Sequence, residues 1–417
     1  MRRIDSVLLV AASCDGTDVG EAWVGWQWTR HIARRARVTL LTQRRPGRTP
    51  PSRQLPGVEV IEFDEVTLPA RLERLNAMAK PGYPFFRRRA ERWIAGARAS
   101  GRNWDVAHQL TPVALRYASP LARFDIPYVL GPLAGSLETP AAFRTECASA
   151  PPWTRLRALD GLRISHDPVL RASWRRASAV LAVAPYVEAL LADVGIRRFE
   201  IISELGIDAL APERQRPAVP GRLRLVHVGR AVRTKGLRDA VRAFARLPAE
   251  VDAELDVAGA GEELELCRVL AAELGVADRI RFHGRLPRAE VEALYAQADA
   301  FLFPSFREPS GSVVFEALRH GLPVITVDRG GPGEVVDETC GLRVPAENPQ
   351  QLAEDLARAI TRLARDPGLR CRLAHGARAR MERIGLWKAK TDWLFDLYGS
   401  LEPPLTHGAE AAQEITA

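Results

Sequence analysis

The sequence predicts an α/β chain folded as two doubly wound domains in series. Three observations carry that prediction. Short apolar runs alternate with helical patterns along most of the chain, the signature of parallel strands joined by right-handed helical crossovers. The alternation breaks at a stretch rich in proline and charge near residue 212, and then restarts. The chain has 417 residues, and single hydrophobic cores stop growing near ~250–300 residues.

The elements follow in order. Residues 6–12 are an unbroken apolar run, read as a buried strand. A polar loop holding Gly16 and Gly20 leads into a helix at about 22–34. Further strands are expected at 38–42, 58–63, 106–108, 127–130 and 180–183, the last preceding a helix near 185–193. Residues 212–222 carry proline and charge without apolar period, and are expected to link the domains. Strands at 223–228, 253–258, 280–283, 300–303 and 323–327 then alternate with helices at 237–247, 262–274, 288–297 and 312–319. Long helical patterns cover 349–365 and 367–384. This divides the chain into an N-terminal domain (1–211), a linker (212–222) and a C-terminal domain (223–384). A helix at 385–403 is expected to cross back to the N-terminal domain, followed by a flexible polar tail at 404–417.

Hydrophobic residues are 47% and charged residues 26% of the chain, which excludes a disordered or fibrous reading. The net charge of +8 is almost all arginine, since Lys80, Lys235, Lys388 and Lys390 are the only lysines. A basic excess suits phosphate-bearing ligands, anionic membrane surfaces or nucleic acid. Nucleic acid is disfavoured because the arginines are spread along every helix and not gathered with aromatics. Five scattered cysteines (Cys14, Cys147, Cys267, Cys340, Cys371) form no close pair, so they read as reduced thiols of a cytoplasmic protein, not as a disulfide framework or zinc site. Neither a secretory signal nor the ~20-residue apolar span that crosses a bilayer is evident.

The densest chemical signal lies at 303–334. Glu308 and Glu316 flank Ser310-Gly311-Ser312, where a loop enters a helix. Free N–H groups and the positive helix end there make a seat for a pyrophosphate. Glu308 at the loop mouth suits sugar hydroxyls, and Glu316 inside the helix suits ribose hydroxyls. Upstream, Arg230 and Lys235 sit in the loop after the first strand of the second domain, where they can neutralise a leaving diphosphate. The glycine-rich turn 258–262 adds a third, weaker element. No Asp-x-Asp pair is placed to hold a metal-bridged diphosphate, so no metal is expected.

Together these residues resemble the family-4 retaining glycosyltransferases of the GT-B fold, in which two Rossmann-like domains face each other across a deep cleft. The resemblance rests on Gly229-Arg230 with Lys235-Gly236, Gly259-Ala-Gly261, His283-Gly284, Tyr295, Asp299, Pro304-Ser305, the Glu308 to Glu316 spacing, Gly321-Leu-Pro-Val324, and Gly330-Gly331 with Glu334. It implies a nucleoside-diphosphate sugar donor, with uridine diphosphate the commoner base in that family and guanosine diphosphate the next. It further implies that Arg230 and Lys235 hold the diphosphate and Glu316 the ribose. Glu308, Ser310, Gly311, Ser312 and Val313 then face the sugar and phosphate, and Arg285 and Leu286 face the base. The departures at Ser310 and Ser312, where many members carry an aromatic and an aliphatic residue, bear on which sugar is transferred.

The N-terminal half resembles the family less closely. By the resemblance, His108 faces the donor sugar from the end of its strand, and Gly20 and Glu21 lie on the loop after the first strand. Glu21 is a rival base or acceptor contact. Trp23 and Trp26 share a helix face and are candidates for an aromatic acceptor platform. The implied function is a retaining, metal-independent transfer of sugar to a small polar acceptor, with specialised-metabolite biosynthesis as one setting. Two alternatives stay open. One is a sugar-nucleotide epimerase on the same fold. The other is a peripheral membrane enzyme with a lipid-linked or polysaccharide acceptor, touching lipid through the basic, aromatic stretch 85–93. The sequence leaves the oligomeric state open.

Overall fold

A computed structural model of the protein describes residues 2–67, 69, 80–147, 158–213 and 222–402. Most of the linker expected at 212–222, and the whole tail at 404–417, lie outside the described residues. Each half forms one all-parallel sheet. The first contains β1 (Ser6–Ala11), β2 (Arg37–Arg44), β3 (Glu59–Asp64), β4 (Val106–Thr111), β5 (Tyr128–Leu133), β6 (Ala179–Ala182) and β7 (Phe199–Ile201), in the order β3-β2-β1-β4-β5-β6-β7. The second contains β8 (Arg222–Val228), β9 (Asp252–Ala258), β10 (Ile280–Gly284), β11 (Ala300–Phe303), β12 (Val324–Val327) and β13 (Gly341–Val344), in the order β10-β9-β8-β11-β12-β13.

The central strands are covered on both faces, which is why they read as continuous apolar runs. Every residue of β4, β5, β6, β11 and β12 is buried. In each sheet the chain winds outward in both directions from its first strand, so the order reverses between β1 and β4 and again between β8 and β11. Loops leaving the carboxyl ends of strands on either side of such a reversal diverge and leave a crevice. The loops after β1, β4, β8 and β11 all contribute to the cleft described below.

The two domains exchange elements. After β5 a strap runs onto the C-terminal domain. Arg307 donates to the Leu137 carbonyl at 3.1 Å, and Arg329 to the Glu138 carbonyl at 3.0 Å. The short helical turn Ala141–Glu146 then places Phe143, fully buried, in the core of the other domain, 4.3 Å from the Phe306 ring. Burying a phenylalanine stabilises by roughly 1.5–3 kcal/mol. Glu146 closes the strap by accepting from Arg233 and Arg242, each at 2.8 Å. Burial alone would raise the Glu146 pKa, but the two arginines outweigh it and hold it at about 2. Arg233 is itself buried and grips Asp239 with both nitrogens, at 2.6 and 3.0 Å.

In return the helix Trp387–Gly399 packs on the N-terminal domain. Trp387 stacks on His31 at 4.9 Å and meets Trp28 edge-on at 5.1 Å. Residue 211 therefore separates the sheets, while the packing crosses it in both directions.

Candidate active site

A cleft of about 1320 Å³ lies between the domains. Its C-terminal wall holds Gly229, Arg230, Thr234, Lys235, Arg288, Phe303, Glu316 and the run Arg307–Val313. Its N-terminal wall holds Asp18, Val19, Gly20, Glu21, Trp23, Val24, Val113, Glu204 and Leu205.

The C-terminal wall is built around the start of the helix Ser312–Arg319. Gly311 precedes it with φ 82°, left-handed backbone that glycine adopts without strain, and no side chain caps the helix. The Val314 N–H turns back to the Gly311 carbonyl at 2.9 Å, and the N–H groups of Ser312 and Val313 at the helix start carry partial positive charge at the cleft surface with no side-chain cap. The preceding loop is clamped from behind. Gly331 N–H donates to the Glu308 carbonyl at 3.1 Å, and a Cβ on Gly330 or Gly331 would lie within 2.1–2.3 Å of the Glu308 or Ser310 carbonyl oxygen. Only glycine permits that approach, which gives the Gly330-Gly331 pair its physical reason.

Side chains then converge on this seat. Lys235 pairs with Glu308 Oε2, and the Ser310 N–H donates to Glu308 Oε1 at 3.2 Å. Arg230 is exposed in the cleft on the same side. Glu316 accepts from Arg288 at 2.9 Å and from the Tyr295 hydroxyl at 3.2 Å. A carboxylate offers about four lone-pair sites, so Glu316 keeps capacity for a ligand hydroxyl. The structure thus brings together Arg230, Lys235, Glu308, Ser310, Gly311, Ser312, Val313 and Glu316 from the C-terminal domain with Gly20, Glu21 and Trp23 from the other. Glu21 is held by Lys80 at 2.5 Å.

Two sequence expectations, those for His108 and Trp26, require correction. His108 does not face the cleft. It lies inside β4 and is fully buried, its Nε2 donating to the Gly131 carbonyl at 2.7 Å and its Nδ1 accepting from the Tyr398 hydroxyl at 2.6 Å. Burial lowers its pKa to about 4 against the opposing effect of the carbonyl, so it is a neutral structural residue. Trp26 is turned away from the cleft lining. Its ring packs where a Cβ on Gly16 would sit, with Arg30 5.3 Å over it. Arg285 and Leu286 lie outside the lining as well, and the segment reaches the cleft two residues later, at Arg288.

Arg288, Arg307 and Glu204 are lining residues that the sequence did not single out. The scarcity of lysine was a usable signal, because Lys80 and Lys235 each pair with a cleft carboxylate. Among the described residues no group of three or more His, Cys, Asp or Glu side chains is arranged to hold a metal ion. No described helix is long and apolar enough to cross a membrane.

Two parallel-sheet domains facing each other over a cleft that joins an uncapped helix start, cations and carboxylates define the class: this is a GT-B protein. Comparisons carry that further. The family model described as glycosyl transferases group 1 matches residues 212–380. The lipopolysaccharide core biosynthesis glycosyltransferase LpsD of Rhizobium meliloti is 30% identical over 243 residues, 57% of this chain and 68% of that protein. The chain belongs to the group 1 glycosyl transferases.

A D-inositol 3-phosphate glycosyltransferase of Streptomyces bingchenggensis is 43% identical over 121 residues, 29% of this chain and 26% of its own. Another lipopolysaccharide core glycosyltransferase of Rhizobium meliloti, LpsE, is matched over 61% of its length. The chain thus spans less than two thirds of these two curated relatives. Among solved structures, sucrose-phosphate synthase from Thermosynechococcus elongatus superposes with TM-score 0.61 at 22% identity, over 94% of this chain and 98% of that one. Anabaena HepE in complex with UDP gives 0.61 at 20% identity, over 95% and 100%. These likenesses are of fold.

Proposed function

We propose that the protein is a retaining glycosyltransferase that moves a sugar from a nucleoside diphosphate to a small polar acceptor without a metal. One observation carries the reading: an uncapped helix start, the cations Arg230 and Lys235 and the carboxylates of Glu308 and Glu316 line one wall of a single cleft. A uridine diphosphate sugar is the favoured donor, since fold neighbours were solved with UDP and with UDP-glucose. Arg230, Lys235 and the Ser312 helix end would bind the diphosphate and stabilise the charge that develops as it leaves. Glu316 would take the ribose hydroxyls and Glu308 the sugar. Because these cations supply the countercharge, activity is expected to survive chelation.

Retention is assigned to a front-face route. The leaving diphosphate oxygen takes the acceptor proton, the glycosidic oxygen bond breaks, and the acceptor oxygen bonds to the same face of an oxocarbenium-like sugar. With His108 buried, no imidazole among the described residues lines the cleft. Glu21 is tied to Lys80 and serves the acceptor side with Gly20 and Trp23. A cytoplasmic setting and specialised-metabolite biosynthesis remain part of this proposal.

The test is a panel of uridine, guanosine, adenosine and thymidine diphosphate sugars, with NMR of the product's anomeric configuration and mass spectrometry of the trapped enzyme. A retained product without protein adduct is expected. An inverted product or a glycosyl adduct on Glu21 overturns the mechanism, and conversion of the donor to an isomer without an acceptor favours the epimerase reading.

A second reading has one observation behind it. On the helix Tyr83–Ala99, Phe85 is exposed beside exposed Arg88, Arg89 and Arg92. That face suits anionic lipid headgroups and a lipid-linked or polysaccharide acceptor. Sedimentation with anionic vesicles, absent with neutral ones, would support it.

A further inference from the structure

Glu316 takes the ribose hydroxyls in the reading above, and a neighbouring helix decides how it can do so. On the helix Arg288–Gln297, Arg288, Glu292 and Tyr295 stand at i, i+4 and i+7, so they share one face. All three bond to residues 316–320. Arg288 Nη1 donates to Glu316 Oε1 at 2.9 Å, and the buried Tyr295 donates from its hydroxyl to Oε2 at 3.2 Å. Each carboxylate oxygen is thereby fixed by one donor and keeps a lone pair for a ligand.

Arg288 is itself held. Its Nε and Nη2 donate to Glu292 Oε1 at 2.9 and 2.7 Å. Glu292 Oε2 in turn accepts from His320 at 2.6 Å and from Arg319 at 3.2 Å. Of these residues only Arg288 and Glu316 line the cleft.

Charge gives the Arg288 contact a second purpose. Glu316 lies on the helix whose start, at Ser312, is the seat for the diphosphate. Four residues separate them, a rise of about 6 Å, which is inside the ~8 Å screening length of physiological salt. A bare carboxylate there repels the phosphates that the seat attracts. The Arg288 guanidinium offsets that charge where it arises.

We propose that Arg288 is a positioning residue for donor binding. It turns Glu316 towards the ribose hydroxyls and offsets the Glu316 charge against the diphosphate, while Tyr295 fixes the second carboxylate oxygen. Arg288 acts through Glu316 and touches no atom of the donor. The assignment rests on the glycosyl-transfer reading and deepens it.

The experiment measures dissociation constants by calorimetry for wild type, Arg288→Gln, Arg288→Lys, Tyr295→Phe, Glu316→Gln and the Arg288→Gln/Glu316→Gln double variant. The probes are the tightest binder among uridine, guanosine and adenosine diphosphates and its 2′-deoxy and 3′-deoxy analogues. Arg288→Gln should weaken the diphosphate roughly tenfold, the loss of one charge-assisted contact. Arg288→Lys, which keeps the charge, should recover most of that loss. Tyr295→Phe should erode the preference for the ribose form over a deoxy analogue and leave deoxy binding unchanged. In the Glu316→Gln background, Arg288→Gln should change affinity by less than about twofold, because the charge it offsets is gone. A loss that persists in full in that background means that Arg288 grips the donor directly, and overturns the positioning role while the transfer reading stands. Wild-type affinity and preference in Arg288→Gln overturn it equally. A wild-type protein that binds none of the diphosphates overturns the transfer reading and this assignment together.

Discussion

The two walls of the cleft are built differently. The C-terminal wall fixes its groups with backbone: an uncapped helix start, a clamped loop and strand ends hold Lys235, Glu308 and Glu316 in place. The N-terminal wall presents a loop and a helix start, with Glu21 held by a single lysine contact and Val19 83% exposed. A rigid wall suits the part of the reaction where charge develops, because preorganised groups need not reorganise. A looser wall suits an acceptor that varies within the family. The comparison teaches where substitutions should hurt most.

The largest effect is expected at the tie between the halves. Arg233→Ala leaves buried Asp239 with only the 3.4 Å contact of Arg242 and takes one of its arginines from Glu146 on the strap, at a cost of about 3–5 kcal/mol, read as a shift in the denaturant midpoint. A wild-type midpoint would mean that the strap does not hold the domains. Next, Lys235→Ala should lower single-turnover rate by roughly 10²–10³-fold, whereas Glu21→Gln on the looser wall should cost less. The reverse order would invert the comparison. Glu316→Ala should weaken nucleoside diphosphate binding by about 1.5–3 kcal/mol in calorimetry, and unchanged binding would remove its ribose role.

The smallest effect concerns two of the buried histidines, one on a central strand of each sheet. His108 and His227 are both held at about 4 by burial, against the opposing hydrogen bonds to backbone carbonyls. The unfolded chain protonates them near 6.5. It therefore binds more protons than the native state between those values, and stability falls as pH drops from about 6.5 to about 4. At pH 5.5 each should cost about 1 kcal/mol. His108→Gln should flatten the pH dependence of the urea midpoint and leave the pH profile of turnover unchanged. A shifted turnover profile would return His108 to the chemistry.

Legibility differed between the walls for the same physical reason. Residues of the C-terminal wall lie on loops that directly follow apolar strands, and glycines and carboxylates mark those loops at short spacing. The sequence thus exposed Lys235, Glu308, Gly311 and Glu316. His108 misled because β4 is covered on both faces, so no alternation tells which side chains reach a strand's end. Trp23 and Trp26 share a helix face, yet only Trp23 reaches the cleft, a difference set by the packing of Trp26 over Gly16. Phe143 was invisible because its partner, Phe306, comes from the other domain.

The exchanged strap and helix also bear on recombination. Enzymes of two facing domains invite the splicing of one protein's donor half to another's acceptor half. In this chain a seam at residue 211 would carry Phe143 away from its pocket beside Phe306 and bring Trp387 to a foreign surface in place of Trp28 and His31. A working chimera has to move 137–146 with the C-terminal sheet and 387–399 with the N-terminal one. The unit of inheritance is therefore a sheet plus the segment its partner lends it.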